Sequence, residues 1–380
     1  MNRKTVRIFF LTVMTLFFLS GLYVAVQPAG REHLLFLSAS EREDAINKLL
    51  PEKELFLVPF RITGAAVGKR YFPEIDTVIA DDGQLLRGSE PTDPEFAAGK
   101  TEALYNLCRD QDINFLYVII PGKPLYDEDL ERYGISCARN YSADLACKEL
   151  KARGIPVLDL RDHFRDEVSK SGDAVSVFYR TDHHWNADAG LQSARLIAGE
   201  LNDRFGMSLR IDNLDEEKIG REVYPDAFVG EIGMKALGRY GGRDDFIRRF
   251  PLYDTHFRFV SPQRNSDESG GFEVFTDDAL LNDLPVDTDH NLYYYYMYDN
   301  YSLDEITNKD VSNGDILMIK DSFASVSAPF LALTCRHLTL WDMRKDINVT
   351  DWIRAHPETE TVIVVYNQSL VNDSTFNNYN

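Results

Sequence analysis

Three near-continuous apolar runs constrain the fold of this chain most. They are "INFLYVII" (Ile113–Ile120), "DILMIK" (Asp315–Lys320) and "TVIVVYN" (Thr361–Asn367). Runs of this length without polar alternation read as strands buried on both faces, which need helices above and below them. The intervening sequence supplies those helices. "PEFAAGKTEALYNLCRDQ" (94–111) and "NYSADLACKELKARG" (140–154) precede a further strand, "IPVLDL" (155–160). "FASVSAPFLAL" (323–333) and "NVTDWIRAH" (348–356) flank another, "HLTLWDM" (337–343). Strand and helix in alternation predict a three-layer α/β/α domain with a parallel central sheet. Residues 205–290 are rich in Gly, Asp and Arg with weak periodicity, and read as an insertion shaping a surface cleft. In such sheets ligands sit at the carboxyl ends of the strands.

The N-terminus reads differently. Arg3, Lys4 and Arg7 precede Ile8–Val26, 19 residues without a charge. That length suffices for one membrane-spanning helix, and the basic flank orients its start toward the cytoplasm. "AVQPAG" lacks a small-x-small cleavage pattern, so an uncleaved signal anchor is expected over residues 1–30. A linker and polar helix (31–50) then lead to a domain over 51–380. This places the bulk of the chain outside the cytoplasm, on a single-pass anchor in the cell membrane. The net charge of −20 argues against nucleic acid as a partner, since phosphate binding needs basic patches. Cys108, Cys137, Cys147 and Cys335 match no zinc or small-disulfide spacing, and free, mostly buried thiols are expected.

Two motifs carry chemistry. In "GDILMIKDSFASVSAPF" a buried strand ends at Lys320, and Asp321 and Ser322 form a turn before a helix. A serine there projects from the carboxyl edge of the sheet with its own N–H facing the reacting centre, as a nucleophile requires. The alternative is that Asp321 and Ser322 only cap the helix. In "YRTDHHWN" (179–186), Asp182 and His184 are one residue apart and can point the same way from an extended segment. A serine needs such a base, oriented by such a carboxylate. Two other readings stay open: a metal site using Asp182, His183 and His184, and a structural role with Asp182 capping the helix from Asn186 and Trp185 packed on it. Lys123 (just past a strand end), Asn300 and Arg344 are further candidates for substrate or oxyanion contact. Asp342 can pair with Arg344, and the Tyr293–Tyr296 run reads as packing or a sugar-stacking surface.

Together these segments resemble the DHHW family, exported proteins similar to the alginate O-acetylation proteins AlgJ and AlgX within the SGNH-hydrolase-like superfamily. "VIIPGKPLY", "GIPVLDL", "YRTDHHWN", "ILMIKDSFASVSAPFLA" and "LTLWDMR" occur in the family's order across roughly residues 50–375. The resemblance implies Ser322 as nucleophile, His184 as base and Asp182 as its orienter, with His183 a bystander. Asp321, Asn300, Arg344, Lys123 and Trp185 are then the surrounding oxyanion and substrate contacts. Lys320 stands where the glycine of the usual "GDS" block would be. The expected activity is extracytoplasmic transfer of acetyl groups to the hydroxyls of a cell-surface or exported polysaccharide. A membrane-bound O-acyltransferase is the expected supplier of the acyl group, and no metal or diffusible cofactor is required. The alternatives are a carbohydrate acetylesterase using the same residues, and a non-catalytic polysaccharide-binding component of an export complex.

Overall fold

The computed structural model describes residue 15 and residues 53–172, 174–236, 242–282, 284, 291–344 and 348–379. The expected anchor Ile8–Val26, apart from Thr15, and the linker 31–50 lie outside the described residues. Among the described residues no helix is long and apolar enough to cross a membrane. Two compact units divide the chain, Met1–Lys69 and Arg70–Asn380. In the first, helix α1 (Lys53–Ala66) contains Pro59, which has no N–H to donate.

The second unit holds the predicted sheet and more. A small antiparallel sheet of β1 (Tyr71–Phe72), β2 (Thr77–Ile79) and β3 (Leu85–Leu86) comes first. The main sheet then takes β4 (Asn114–Ile120) and β5 (Val157–Asp159). A hairpin of β6 (Ile219–Phe228) and β7 (Asp244–Pro251) stands apart from it. The main sheet is completed by β8 (Phe257–Ser261), β9 (Ser266–Gly270), β10 (Leu303–Asn308), β11 (Asp315–Lys320), β12 (His337–Asp342) and β13 (Thr361–Asn367). Its order is β5-β4-β13-β11-β12-β10-β8-β9.

The five strands read from sequence are parallel. The expectation of a purely parallel sheet is corrected by β10, β8 and β9, which extend it antiparallel. The physical reason is visible in their burial. In β8 and β10 buried residues alternate with more exposed ones, and β9 has no fully buried residue. That is the pattern of strands with one wetted face, which antiparallel pairing tolerates. Part of the segment read as an insertion is therefore sheet.

Along the parallel strands successive side chains enter two different cores. Leu116, Val118, Ile316, Met318, Ile363 and Val365 pack with α4 (Arg161–Ser171), α5 (Ala187–Phe205) and α7 (Ala324–Ala332). Phe115, Tyr117, Leu317, Ile319, Val362 and Val364 pack with α2 (Glu95–Asp110), α3 (Arg139–Ala152) and α8 (Val349–Ala355). A short helix α6 (Glu231–Ala236) follows β6. All four cysteines are buried free thiols.

Candidate active site

The register of the parallel strands brings four chain segments to one edge. Lys320 lies level with Asp342 and with Val365, and Asn367 with Ile120. The residues just past these ends are Lys123 after β4, Ser322 after β11, Arg344 after β12 and Ser369 after β13. All four line a cleft of about 330 Å³, together with Arg87, Arg139 and His183. A larger groove of about 720 Å³ around His256 and Asp310 contains none of the predicted site residues.

Ser322 sits on a turn fixed by its neighbours. The buried Asp321 carboxylate accepts from the Phe323 N–H (2.8 Å) and from the Asn367 N–H and side-chain amide (2.7 and 2.8 Å). Burial pushes this carboxyl up, opposed by the Asn367 and Phe323 amides. Asp321 is therefore a structural pin and not the substrate contact predicted, because it is fully enclosed. Among the described residues the Ser322 N–H has no acceptor, which leaves it available to an oxyanion.

His184 bridges to this serine. Its Nε2 is 2.8 Å from Ser322 Oγ, and its Nδ1 is 2.6 Å from Asp182 Oδ1. The tautomer satisfying both contacts carries the proton on Nδ1 and accepts the serine O–H at Nε2. Asp182 also accepts the His184 N–H (2.9 Å) and, on its other oxygen, the Glu231 N–H (2.8 Å). Burial alone would raise its carboxyl, but the His184 and His183 imidazoles and these amides hold it well below the usual range. The carboxylate is thus ionised and saturated with donors.

The wall behind Asp182 is backbone. A Cβ built on Gly230 would lie 2.3 Å from Asp182 Cβ, so glycine is the residue that fits. Thr181 extends the clamp: its hydroxyl donates to Asp244 Oδ2 and accepts the Gly230 N–H (2.8 Å). The hairpin segment thus braces the Asp182 carboxylate against His184.

Several contacts hold the His184 segment against the Ser322 turn. Trp185 donates from Nε1 to the Phe323 carbonyl (2.9 Å) and packs on Phe164 and Phe323. It is fully buried, which corrects its expected role as a substrate contact. Asn186, not Asp182, caps α5, through its side-chain oxygen and the Ala189 N–H (3.0 Å). Asp182 is free of that duty. α5 then lies so close to α7 that a Cβ on Gly190 would come within 2.6 Å of Val326, and Ser193 Oγ meets Ser327 Oγ at 2.6 Å.

Tyr293 belongs to the run whose sequence reads as packing or a sugar-stacking surface, and the structure gives it a more specific place. Its ring stacks on the His184 imidazole, with centroids 3.6 Å apart and planes within 12°. Its hydroxyl donates to the Ser322 and Phe323 carbonyls (2.8 and 3.1 Å). No local spacing signals such a contact across more than a hundred residues.

The remaining candidates separate. His183 lines the cleft and lies against His184, with ring centroids 3.7 Å apart. Burial pushes it down to about 4, so it is neutral near pH 7. Lys123 lines the cleft, but its Nζ is spent on Gln84 Oε1 and the Tyr179 and Arg180 carbonyls. It anchors the loop segment leading to Asp182. Arg344 lines the cleft and pairs with Asp342 through Nε (2.9 and 3.1 Å) and Nη2. Asn300 is not among the cleft-lining residues. Its Oδ1 accepts from Lys320 Nζ (3.3 Å) and Ser325 Oγ (3.1 Å).

Asp182, His183 and His184 place one ligand atom each within 4.8 Å of one another, close enough to hold a metal ion. Both nitrogens of His184 are already engaged, one by Asp182 and one by Ser322. A metal there would compete with both contacts.

Comparison with known proteins bears on the fold and on part of the sequence. Residues 94–242 match the family model described as the SGNH hydrolase-like domain of the acetyltransferase AlgX. That span holds Asp182 and His184 and ends before Ser322. No curated protein matches the chain in sequence. The solved structure of Bacillus cereus PatB1 with a sulfonyl adduct is similar, with a TM-score of 0.64 and 18% identity, covering 79% of this chain and 96% of that one. A DHHW family protein from Eubacterium siraeum gives 0.59 and 15%, covering 80% and 93%. These likenesses establish a shared fold. Over residues 94–242 the chain is similar to that AlgX-type SGNH hydrolase-like family model, and over about four fifths of its length it shares the fold of PatB1 and of the DHHW family protein.

Proposed function

We propose that this protein is an extracytoplasmic O-acetyltransferase acting on the hydroxyls of a cell-surface or exported polysaccharide, with Ser322, His184 and Asp182 as a catalytic triad. The observation that carries the reading is the unbroken hydrogen-bond chain from Asp182 through His184 to Ser322, at the carboxyl edge of the sheet. The family description, which names an acetyltransferase, supports the reaction class.

The chemistry runs in two halves. Ser322 Oγ attacks the acyl carbonyl while its proton passes to His184 Nε2, and the imidazolium that forms is stabilised by the ionised Asp182. The tetrahedral oxyanion is met by the Ser322 N–H. Collapse releases the donor's leaving group, which takes the proton from His184, and leaves an acyl ester on Ser322. A sugar hydroxyl then gives its proton to His184 and attacks the ester. Collapse returns that proton to Ser322 and places the acetyl group on the sugar. Tyr293 keeps the imidazole plane fixed through both halves.

The uncharged N-terminal run, Ile8–Val26, supports a membrane anchor and an extracytoplasmic catalytic domain. An enzyme so placed has no cytosolic acyl donor at hand, and a membrane-bound O-acyltransferase that passes the group across the bilayer would supply one. The test is a deletion strain complemented with the wild type or with Ser322→Ala, its polysaccharide assayed for O-acetyl groups. Restoration by the wild type alone is expected; full acetylation with Ser322→Ala would sink the proposal. Incubating the purified protein with p-nitrophenyl acetate and an oligosaccharide tests the acceptor. Ester loss without acetylated sugar would identify an esterase.

A further inference from the structure

Two adjacent imidazoles stand beside Ser322, and the proposed reaction uses only one of them. His184 is enclosed, with its two ring nitrogens engaged by Asp182 and Ser322. His183 lines the cleft together with Ser322, and the triad leaves it without a task.

The setting of the His183 ring fixes which part of it is open. One face lies against His184, with ring centroids 3.7 Å apart, and the Phe323 ring is 5.9 Å away. Nδ1 is enclosed and makes no hydrogen bond, and Asp182 Oδ1 lies 3.4 Å from it. The side chain is nonetheless 39% exposed, so the part open to the cleft is the far end of the ring, which carries Nε2. A neutral imidazole holds one proton for its two nitrogens. The carboxylate oxygen close to Nδ1 repels a lone pair there and favours an N–H. The proton therefore sits on Nδ1, and Nε2 presents a lone pair to the cleft.

A lone-pair nitrogen beside the base has a use once Ser322 is acylated. His184 Nε2 then takes the proton of the attacking hydroxyl. A sugar carries a second hydroxyl on the neighbouring carbon. That O–H can donate to His183 Nε2 while the first is presented to His184.

We infer that His183 is a specificity residue for the acceptor: its Nε2 accepts a hydrogen bond from the hydroxyl that neighbours the attacking one, so that the acyl group passes to a vicinal diol. The inference rests on the reading of Ser322 as nucleophile and His184 as base. It adds the chemical class of the acceptor, a sugar ring with two adjacent free hydroxyls. A site built to take a hydrogen bond from a substrate hydroxyl disfavours an analogue without it, because the polar atom of the site is then left unpaired.

The experiment measures acyl transfer from p-nitrophenyl acetate to cis-cyclohexane-1,2-diol, trans-cyclohexane-1,2-diol and cyclohexanol. Product esters are separated by chromatography, and release of p-nitrophenol is followed in parallel. The wild type should acetylate one of the diols at least about tenfold faster than cyclohexanol. His183→Phe keeps a ring against His184 and removes the nitrogens. It should erase the preference for the diol while retaining most of the hydrolysis of p-nitrophenyl acetate. His183→Gln retains a side-chain acceptor and should keep part of the preference. A residue that only packs against the base would lower hydrolysis and transfer together and leave their ratio unmoved. Equal transfer by the wild type to the diols and to cyclohexanol would overturn the inference, and that comparison needs no variant to fold. A diol preference unchanged in His183→Phe would overturn it as well. Failure of the triad reading has a different signature, release of p-nitrophenol that survives Ser322→Ala.

Discussion

Gly230→Ala is the perturbation that most sharply probes how the orienting carboxylate is held. The new methyl would sit 2.3 Å from Asp182 Cβ and 2.5 Å from Oδ2, where ordinary contact begins near 3.4 Å. About 1 Å must be recovered, either by moving Asp182 or by moving the backbone whose Glu231 N–H holds it. A misplacement of that size at a catalytic constellation costs about 100-fold in rate, or about 2.7 kcal/mol of transition-state stabilisation. The assay is steady-state hydrolysis of p-nitrophenyl acetate, with a thermal melt to verify folding. The matched control is Gly199→Ala in α5, whose added methyl meets nothing within 4 Å. It should keep full activity and gain slightly in stability from the better helix former. In an Asp182→Asn background, Gly230→Ala should cost far less than 100-fold, because the group it displaces no longer holds the base. A folded Gly230→Ala protein with kcat within twofold of the wild type would refute the idea that this backbone wall positions Asp182.

Other outcomes follow from the same geometry. Tyr293→Phe keeps the ring on His184 but loses the hydroxyl contacts to the Ser322 and Phe323 carbonyls, so kcat should fall severalfold. Tyr293→Ala should fall much further and destabilise the protein by about 3–5 kcal/mol, as for other buried aromatics; equal effects on kcat would refute the stacking role. His184→Gln should cost about 10⁴-fold or more, whereas His183→Gln should keep most of the hydrolysis of p-nitrophenyl acetate. Loss only at 183 would reverse the assignment. Asp304 is buried in β10 with Oδ1 unpartnered, and burial, partly offset by neighbours such as Lys320, raises its carboxyl from 3.8 to about 6. The folded state therefore binds more protons between pH 4 and 6, and stability from this group falls as pH rises through that window. The ionised form carries a penalty of about 3 kcal/mol at pH 7. Asp304→Asn should accordingly raise the midpoint of urea unfolding at pH 7 and leave it nearly unchanged at pH 4. A loss of stability at pH 7 would contradict this.

The legible parts of the fold were those with a local signature. Continuous apolar runs marked β4, β11 and β13, and the strand-turn-helix around Ser322 was readable because a polar Asp-Ser pair interrupts an otherwise apolar stretch. The Asp-x-His spacing was also readable, although the segment proves bent and not extended, with the His184 N–H folded back onto Asp182. The antiparallel wing was missed because β8, β9 and β10 have a solvent-facing side, which looks like loop when read among Gly and Asp. Trp185 and Asp321 were placed in the right neighbourhood but given the wrong task, since burial is a property of the assembled core. The Gly230 wall, the Thr181–Asp244 brace and the Tyr293 stack join residues 48 to 109 positions apart in the chain. Only folding brings such pairs together, and nothing in their local sequence announces them.

The central claim is that Ser322 carries the acyl group between donor and acceptor. Its most direct test is acid-quenched mass spectrometry of the protein mixed with p-nitrophenyl acetate, followed by peptide mapping. A sulfonyl fluoride, which reacts with activated serine hydroxyls, serves as a second, irreversible probe. The account predicts one acetyl group, or one sulfonyl group, on Ser322, with neither on Ser322→Ala and both formed far more slowly on His184→Gln. Turnover at the wild-type rate with Ser322 unmodified, or with the acyl group on another side chain, would contradict it.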